Sequence, residues 1–168
     1  MNMRKIYSLL FFMTLTCIAQ IEAQIIMSNG STRTCNGVFY DSGGALNDYR
    51  ANETYVYTIC SPDVTRNHIS LGFDQLDIAP GDELCFFDGN SVNAPLLACA
   101  SDFGATQNAI IQATATNPSG CITIRFRSNG SVQGRGWAAN IICIPSCQTI
   151  RGIVDATIPA TVPADWMT

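Results

Sequence analysis

Charge is scarce in this chain. Only 13% of its 168 residues are Asp, Glu, Lys or Arg, about half the usual share. Lys5 is the one lysine and His68 the one histidine. So thin a supply of charge excludes a long solvent-exposed helix, a coiled coil or an acidic tail. Nine basic residues against 13 acids leave a net charge of −4, which makes nucleic-acid phosphates a poor partner. A lone histidine rules out a zinc site built mainly from His. As a general base, His68 needs a nucleophile and an orienting acid nearby, and nothing in the sequence places them there, so it reads as an ordinary strand residue. Helical periodicity is missing after residue 23. Phosphate-cradling glycine loops, metalloprotease helices and nucleophile elbows are missing too. Long hydrophobic runs are absent, save one.

That run is Ile6 to Ala19, behind Arg4 and Lys5. It is shorter than the roughly 20 residues a membrane-spanning helix needs. With Ala23 before Gln24 as a cleavage point, residues 1–23 read as a secretory signal peptide. Removal leaves seven Arg, no Lys and 12 acids, a charge of 7 minus 12, or −5. No membrane span is expected afterwards.

Cysteine is plentiful, and its number fits export. Of eight cysteines, Cys17 leaves with the signal. Cys35, Cys60, Cys85, Cys99, Cys121, Cys143 and Cys147 remain. In an oxidising compartment a disulfide framework is the default, and an odd count leaves one thiol over, taken to be Cys147.

The rest of the chain reads as short strands and turns. Residues 24–34 form a polar arm or leader strand. Strand-like runs follow at Glu53–Cys60, His68–Ile78, Glu83–Phe87, Asn108–Thr114, Cys121–Arg127 and Gly136–Cys143. Gly43-Gly44, Pro80-Gly81 and Pro118-Ser119-Gly120 punctuate them. The expectation is an all-β, antiparallel sandwich or barrel. Trp137 is expected in its core. Phe86 and Phe87 point to opposite faces, one into the core. Arg125, Arg127 and Arg135 are expected to share one face near the last hairpin, as solubilising charge or as a receptor for carboxylates or acidic glycans. Asn29, Asn52 and Asn129 each begin an Asn-x-Ser/Thr sequon.

The strands suggest disulfide partners. Cys121 and Cys143 are symmetric about position 132, so a regular hairpin would set them side by side. Cys85 and Cys99 flank a second excursion, and Cys35 to Cys60 closes a longer one. Many pairings of six cysteines remain formally open.

These features, in this order, resemble the CUB domain. They are the Cys35…Cys60 and Cys85…Cys99 spacings, the strand LGFDQLDI from Leu71 to Ile78, and the segment DELCFFDG from Asp82 to Gly89. The strand from Ile122 to Arg127 runs into Ser128-Asn129-Gly130-Ser131, and Gly136-Trp137-Ala138-Ala139 closes the pattern. The Cys121 and Cys143 pair and the Cys-Ile-Pro-Ser-Cys exit look like CUB domains of secreted Bacteroidetes-type bacterial proteins. The resemblance implies a disulfide-bonded jelly-roll β-sandwich over residues 35–144, after a signal (1–23) and an arm (24–34). Residues 145–168 then read as a linker or the start of a further domain.

It also implies an extracellular, non-catalytic module that binds protein or carbohydrate. The alternative is an accessory domain of a longer secreted enzyme, such as a protease, or of an adhesin. Many CUB domains hold Ca²⁺ with three carboxylates. Here Asp82 matches one of them, but Ala79 and Asn129 occupy the other two positions, and Asp77 is the nearest substitute. The sequence therefore favours no cofactor, with Asp82, Asn129 and Asp77 as the donors to test for calcium.

Overall fold

A computed structural model describes residues 23–63, 67–100 and 108–145. The expected signal segment before Ala23, Cys147 and the stretch after Pro145 lie outside them. Ten strands occur among the described residues: β1 (Gln24–Ile26), β2 (Gly30–Arg33), β3 (Val38–Tyr40), β4 (Thr54–Cys60) and β5 (Asn67–Asp77), then β6 (Glu83–Phe87), β7 (Leu96–Cys99), β8 (Ile110–Gln112), β9 (Ile122–Arg127) and β10 (Gly136–Pro145). A 3-10 turn spans Gly44–Leu46.

The strands form two five-stranded sheets. The first has the order β1-β3-β10-β5-β8 and the second β2-β4-β9-β6-β7. The protein is thus an all-β sandwich. Its pairs are antiparallel except at one edge of each sheet, where β1 runs parallel to β3 and β2 parallel to β4. Segment 24–34 is therefore no loose arm: it gives one edge strand to each sheet, and Met27 between them is buried.

Alternation along the strands builds the core. Ile69, Leu71 and Phe73 of β5 and Trp137, Ala139 and Ile141 of β10 face Leu84 and Phe86 of β6 and Ile122, Ile124 and Phe126 of β9. Side chains on alternate residues share a sheet face, so each strand turns one apolar row inward. The alternation breaks in β5. Ala138 pairs with Gln75 but Ala139 with Phe73, so Asp74 is an extra residue in β5. This bulge lets both Phe73 and Leu76 point inward although three positions separate them. Trp137 packs between Phe39 and Phe126, with ring centroids 5.8 and 5.1 Å away.

The sulfur pairing departs from the hairpin reading. The disulfides are Cys35–Cys143, Cys60–Cys121 and Cys85–Cys99, so only the last of the three expected partnerships occurs. The reason is topological. β9 pairs with β4 and β6, whereas β10 pairs with β3 and β5. The chain between them crosses from one sheet to the other and makes no hairpin. Cys121 instead lies beside Cys60, one step beyond the Ile59↔Ile122 pair. Cys143 at the far end of β10 reaches Cys35, just after β2.

Candidate functional site

Three loops meet at one end of the sandwich: 41–53 between β3 and β4, 78–82 between β5 and β6, and 128–135 between β9 and β10. Buried acids hold them together. Asp41, 1% exposed, accepts the Gly43 N–H on Oδ1 (2.7 Å) and the Trp137 N–H on Oδ2 (3.1 Å). Gly136 has φ +74, and a Cβ there would collide with the Asp41 carboxylate, so only glycine fits. Burial is the main cause that raises the Asp41 pKa above 3.8; its N–H donors oppose the shift, and nearby Asp48 adds to it.

Glu53 is the second tie. Its carboxylate accepts the Ser42 hydroxyl and the Arg50 N–H. Its backbone N–H donates to Ser128 Oγ (2.9 Å), whose hydroxyl donates to the Arg50 carbonyl (2.6 Å). Tyr49 is the third tie. Its hydroxyl donates to Asp82 Oδ2 (2.6 Å) and accepts the Ala79 N–H (2.9 Å). Burial, and next the bond to Asp82, push the Tyr49 phenol up to about 12. Asp82 Oδ1 accepts the Asn129 N–H (2.8 Å), and the Asn129 carbonyl accepts the Asn52 N–H (3.0 Å).

The structure thus brings Asp82 and Asn129 together but takes Asp77 elsewhere, where Oδ2 accepts the Arg135 N–H (3.1 Å). Both Asp82 oxygens already accept protein hydrogens, and the Asn129 amide oxygen accepts the Ser131 N–H and hydroxyl. Calcium takes six to eight oxygens and favours clustered negative charge, and of the two residues brought together here only Asp82 is a carboxylate. Among the described residues no group of three or more His, Cys, Asp or Glu side chains could hold a metal.

The three arginines do not share a face. Arg125 and Arg127 point outward from β9, where Arg125 pairs with Glu83 (2.7 Å) and lies 5.2 Å over the Phe87 ring. That guanidinium covers Phe87, which is almost as buried as its core-facing neighbour Phe86. Arg135 instead borders the outer face of the first sheet. There it lines a hollow of about 130 Å³ with Tyr40, Leu46, Asp48, Gln75 and Ala138.

His68 is buried, packed near Gly120 beside a separate apolar cleft of about 270 Å³ next to Thr114 and Ile144. Among the sequons, Asn29 Oδ1 accepts the Val56 N–H (2.9 Å), and Asn52 is an exposed turn residue with φ 60. Asp41, Tyr49 and Leu46 are functional candidates that the sequence marks only by the Gly43-Gly44 break just after an aspartate.

Comparison with solved structures now decides the fold. The full extracellular region of zebrafish Gpr126/Adgrg6 superposes with a TM-score of 0.55 at 17% identity, over 71% of this chain and 15% of that one. The CUB1-EGF-CUB2 domain of human MASP-1/3 gives 0.53 at 21%, over 73% and 44%. The MASP-1 CUB2 domain bound to Ca²⁺ gives 0.51 at 22%, over 68% and 98%. The fold is CUB-like. No family model matches the sequence, and no curated protein does. The chain spans less than half the length of the first two of these structures. Two of the three are named as zebrafish and human, and nothing in the comparisons supports the bacterial affiliation.

Proposed function

We propose that this chain is a secreted, non-catalytic binding module that meets an extracellular protein through loops 41–53, 78–82 and 128–135. One observation carries the reading. Asp41, Glu53 and the Tyr49–Asp82 pair tie these loops to one another and to the sheets, so the end presents a fixed surface. A surface ordered before binding loses less entropy on association. Three disulfides suit an oxidising compartment. No helix among the described residues is long and apolar enough to cross a membrane. Several of the similar structures are modules within longer chains, which supports reading this one, too, as part of a longer protein, with further domains beyond Thr168.

The test is direct binding of the chain to arrays of purified extracellular proteins and glycans. Saturable protein binding that survives chelation of calcium is expected. Absence of binding to every protein and glycan would overturn the module reading, and glycan-only binding would overturn the protein assignment. Titration with CaCl₂ tests Asp82, Asn129 and Asp77 as ligands, and micromolar affinity would overturn the metal-free reading. Hydrolase activity that His68→Ala abolishes would overturn the non-catalytic one.

A further inference from the structure

We propose that the hollow between Leu46 and Arg135 docks a peptide segment of a partner protein in which apolar side chains flank a carboxylate. This rests on the binding-module reading and narrows it to one surface and one chemistry.

The floor is a row across the first sheet. Ile26, Tyr40, Ala138 and Gln75 are neighbours in register on β1, β3, β10 and β5. They face outward, opposite the inward Ile25, Phe39 and Trp137. Ala138 is the small member between Tyr40 and Gln75, and the hollow opens over it. Leu46 stands at one side with 93% of its surface in water. Its turn is held: the Gly44 N–H donates to the Asp41 carbonyl (3.2 Å), the Gly43 N–H to the Asp41 carboxylate (2.7 Å) and the Asn47 amide to the Gly43 carbonyl (3.3 Å). Ile26, also exposed, adjoins this turn at Gly44. Because the turn that carries Leu46 is ordered before binding, a partner gains an apolar contact without the cost of ordering that backbone.

Arg135 stands at the other side and is equally prepared. Its N–H donates to Asp77 Oδ2 (3.1 Å), and its carbonyl accepts the Gln75 side-chain amide (2.8 Å). Its guanidinium has no hydrogen bond or ion pair among the described residues. A cation with a pinned backbone and no internal partner selects a carboxylate, which it can hold by two parallel N–H bonds. Asp48 lines the loop side of the same hollow and repels the carboxylate toward Arg135, which sets the direction of the segment. The exposed Leu46 and Ile26 beside this cation suit a peptide whose apolar side chains flank its carboxylate, and binding of an acidic glycan is the competing outcome of the test.

The experiment uses the full chain, isotope-labelled for NMR, and acetylated, amidated tripeptides Leu-Glu-Leu, Leu-Gln-Leu and Leu-Lys-Leu. The Glu peptide is expected to shift the amides of Leu46, Gln75 and Ala138 and to bind about tenfold tighter than the Gln peptide, the value of one charge-assisted contact. Arg135→Gln should erase that preference, and Leu46→Ala should weaken all three peptides. Both side chains are at the surface, and an unchanged Tm confirms that each variant is folded. Equal affinity for Glu and Gln peptides, or preference for the Lys peptide, overturns the inference. So does stronger binding of a hyaluronan oligosaccharide at these amides. Peptide shifts confined to another surface also overturn it but leave the module reading standing. A chain that binds no protein and no glycan in the array experiment fails at the earlier step.

Discussion

The two ends of this sandwich are closed by different chemistry. At the end where β4 and β10 finish and β9 begins, sulfur does the joining: Cys60–Cys121 and Cys35–Cys143 tie the sheets' strands covalently. Asp88 helps there by accepting the Thr114 N–H (3.0 Å) and the Asn117 side-chain amide (2.8 Å). At the loop end Asp41, Glu53 and Asp82 hold the three loops to one another through hydrogen bonds, and the Cys85–Cys99 bridge joins β6 to β7 behind them without touching those loops' own ties. A covalent tie acts mainly on the unfolded chain and is indifferent to pH, while a carboxylate tie depends on buried geometry and proton occupancy. The recognition surface proposed above falls at the end whose loop ties respond to protons, as binding loops are drawn from the parts a rigid scaffold can hold out to solvent.

Breaking the sulfur end has the largest expected effect. The sequence separations are 108 for Cys35–Cys143, 61 for Cys60–Cys121 and 14 for Cys85–Cys99. In the chain-entropy model these are worth about 5, 4 and 3 kcal/mol. The double variants C35S/C143S and C60S/C121S should therefore lose more stability in urea denaturation than C85S/C99S. Peptide mapping without reduction checks the premise. A Cys35–Cys60 or Cys121–Cys143 peptide would return β9 and β10 to a hairpin and contradict the two-sheet topology.

Breaking the loop end at Tyr49→Phe comes next. The change leaves the buried Ala79 N–H without its acceptor and takes a donor from Asp82, at a cost of about 2 kcal/mol. It also has a pH signature. The phenol is raised from 10 to about 12 in the folded protein, so folding favours the protonated form. Its contribution is complete below pH 10 and is lost as pH rises toward 12. Wild type should lose stability across that window, and the Phe variant should lack this loss. Equal alkaline slopes would remove Tyr49 as the tie.

The strands are plain in the sequence and the sulfur pairing is not, and the reason is range. Runs such as CITIRFR and HISLGFDQLDI carry period-two alternation, which reports a local property: one face is buried. β5 and β9 are legible for that reason, β4 through its Tyr, Val, Thr and Ile content, and β6 through the Asp88-Gly89 turn that closes it. β3 and β7, of three and four residues, are too short for a period to show. Which strands become neighbours is not local. Ile122 and Trp137 both face the core, and this holds equally for a hairpin and for strands in opposite sheets. The position of Cys143 relative to Cys121 therefore could not follow from alternation. At the loop end, Asp82 and Asn129 were traceable through the family pattern. Tyr49 and Asp41 were not, because their roles come from partners 33 and 96 positions away.

The smallest expected effect sharpens the comparison most. Asp41 is the most buried acid of the loop end, with a pKa raised above 3.8 chiefly by burial and held back by its two N–H donors. A raised carboxyl pKa means that folding favours the protonated form. The stabilising contribution is complete below pH 3.8 and is lost as pH climbs through the raised value. Acidification from neutrality should thus recover some stability at this residue, where ordinary salt-bridged carboxylates would lose it. Asp41→Asn keeps the shape but does not titrate, and one of its two acceptors becomes a donor. At neutral pH that loss, about 1 kcal/mol for one hydrogen bond, is offset by removal of a buried charge. Urea denaturation of both proteins between neutral pH and pH 4 should give a smaller acid-side gain for the variant. Parallel curves would mean that the loop end is as insensitive to protons as the sulfur end, and the contrast between them would reduce to bond strength alone.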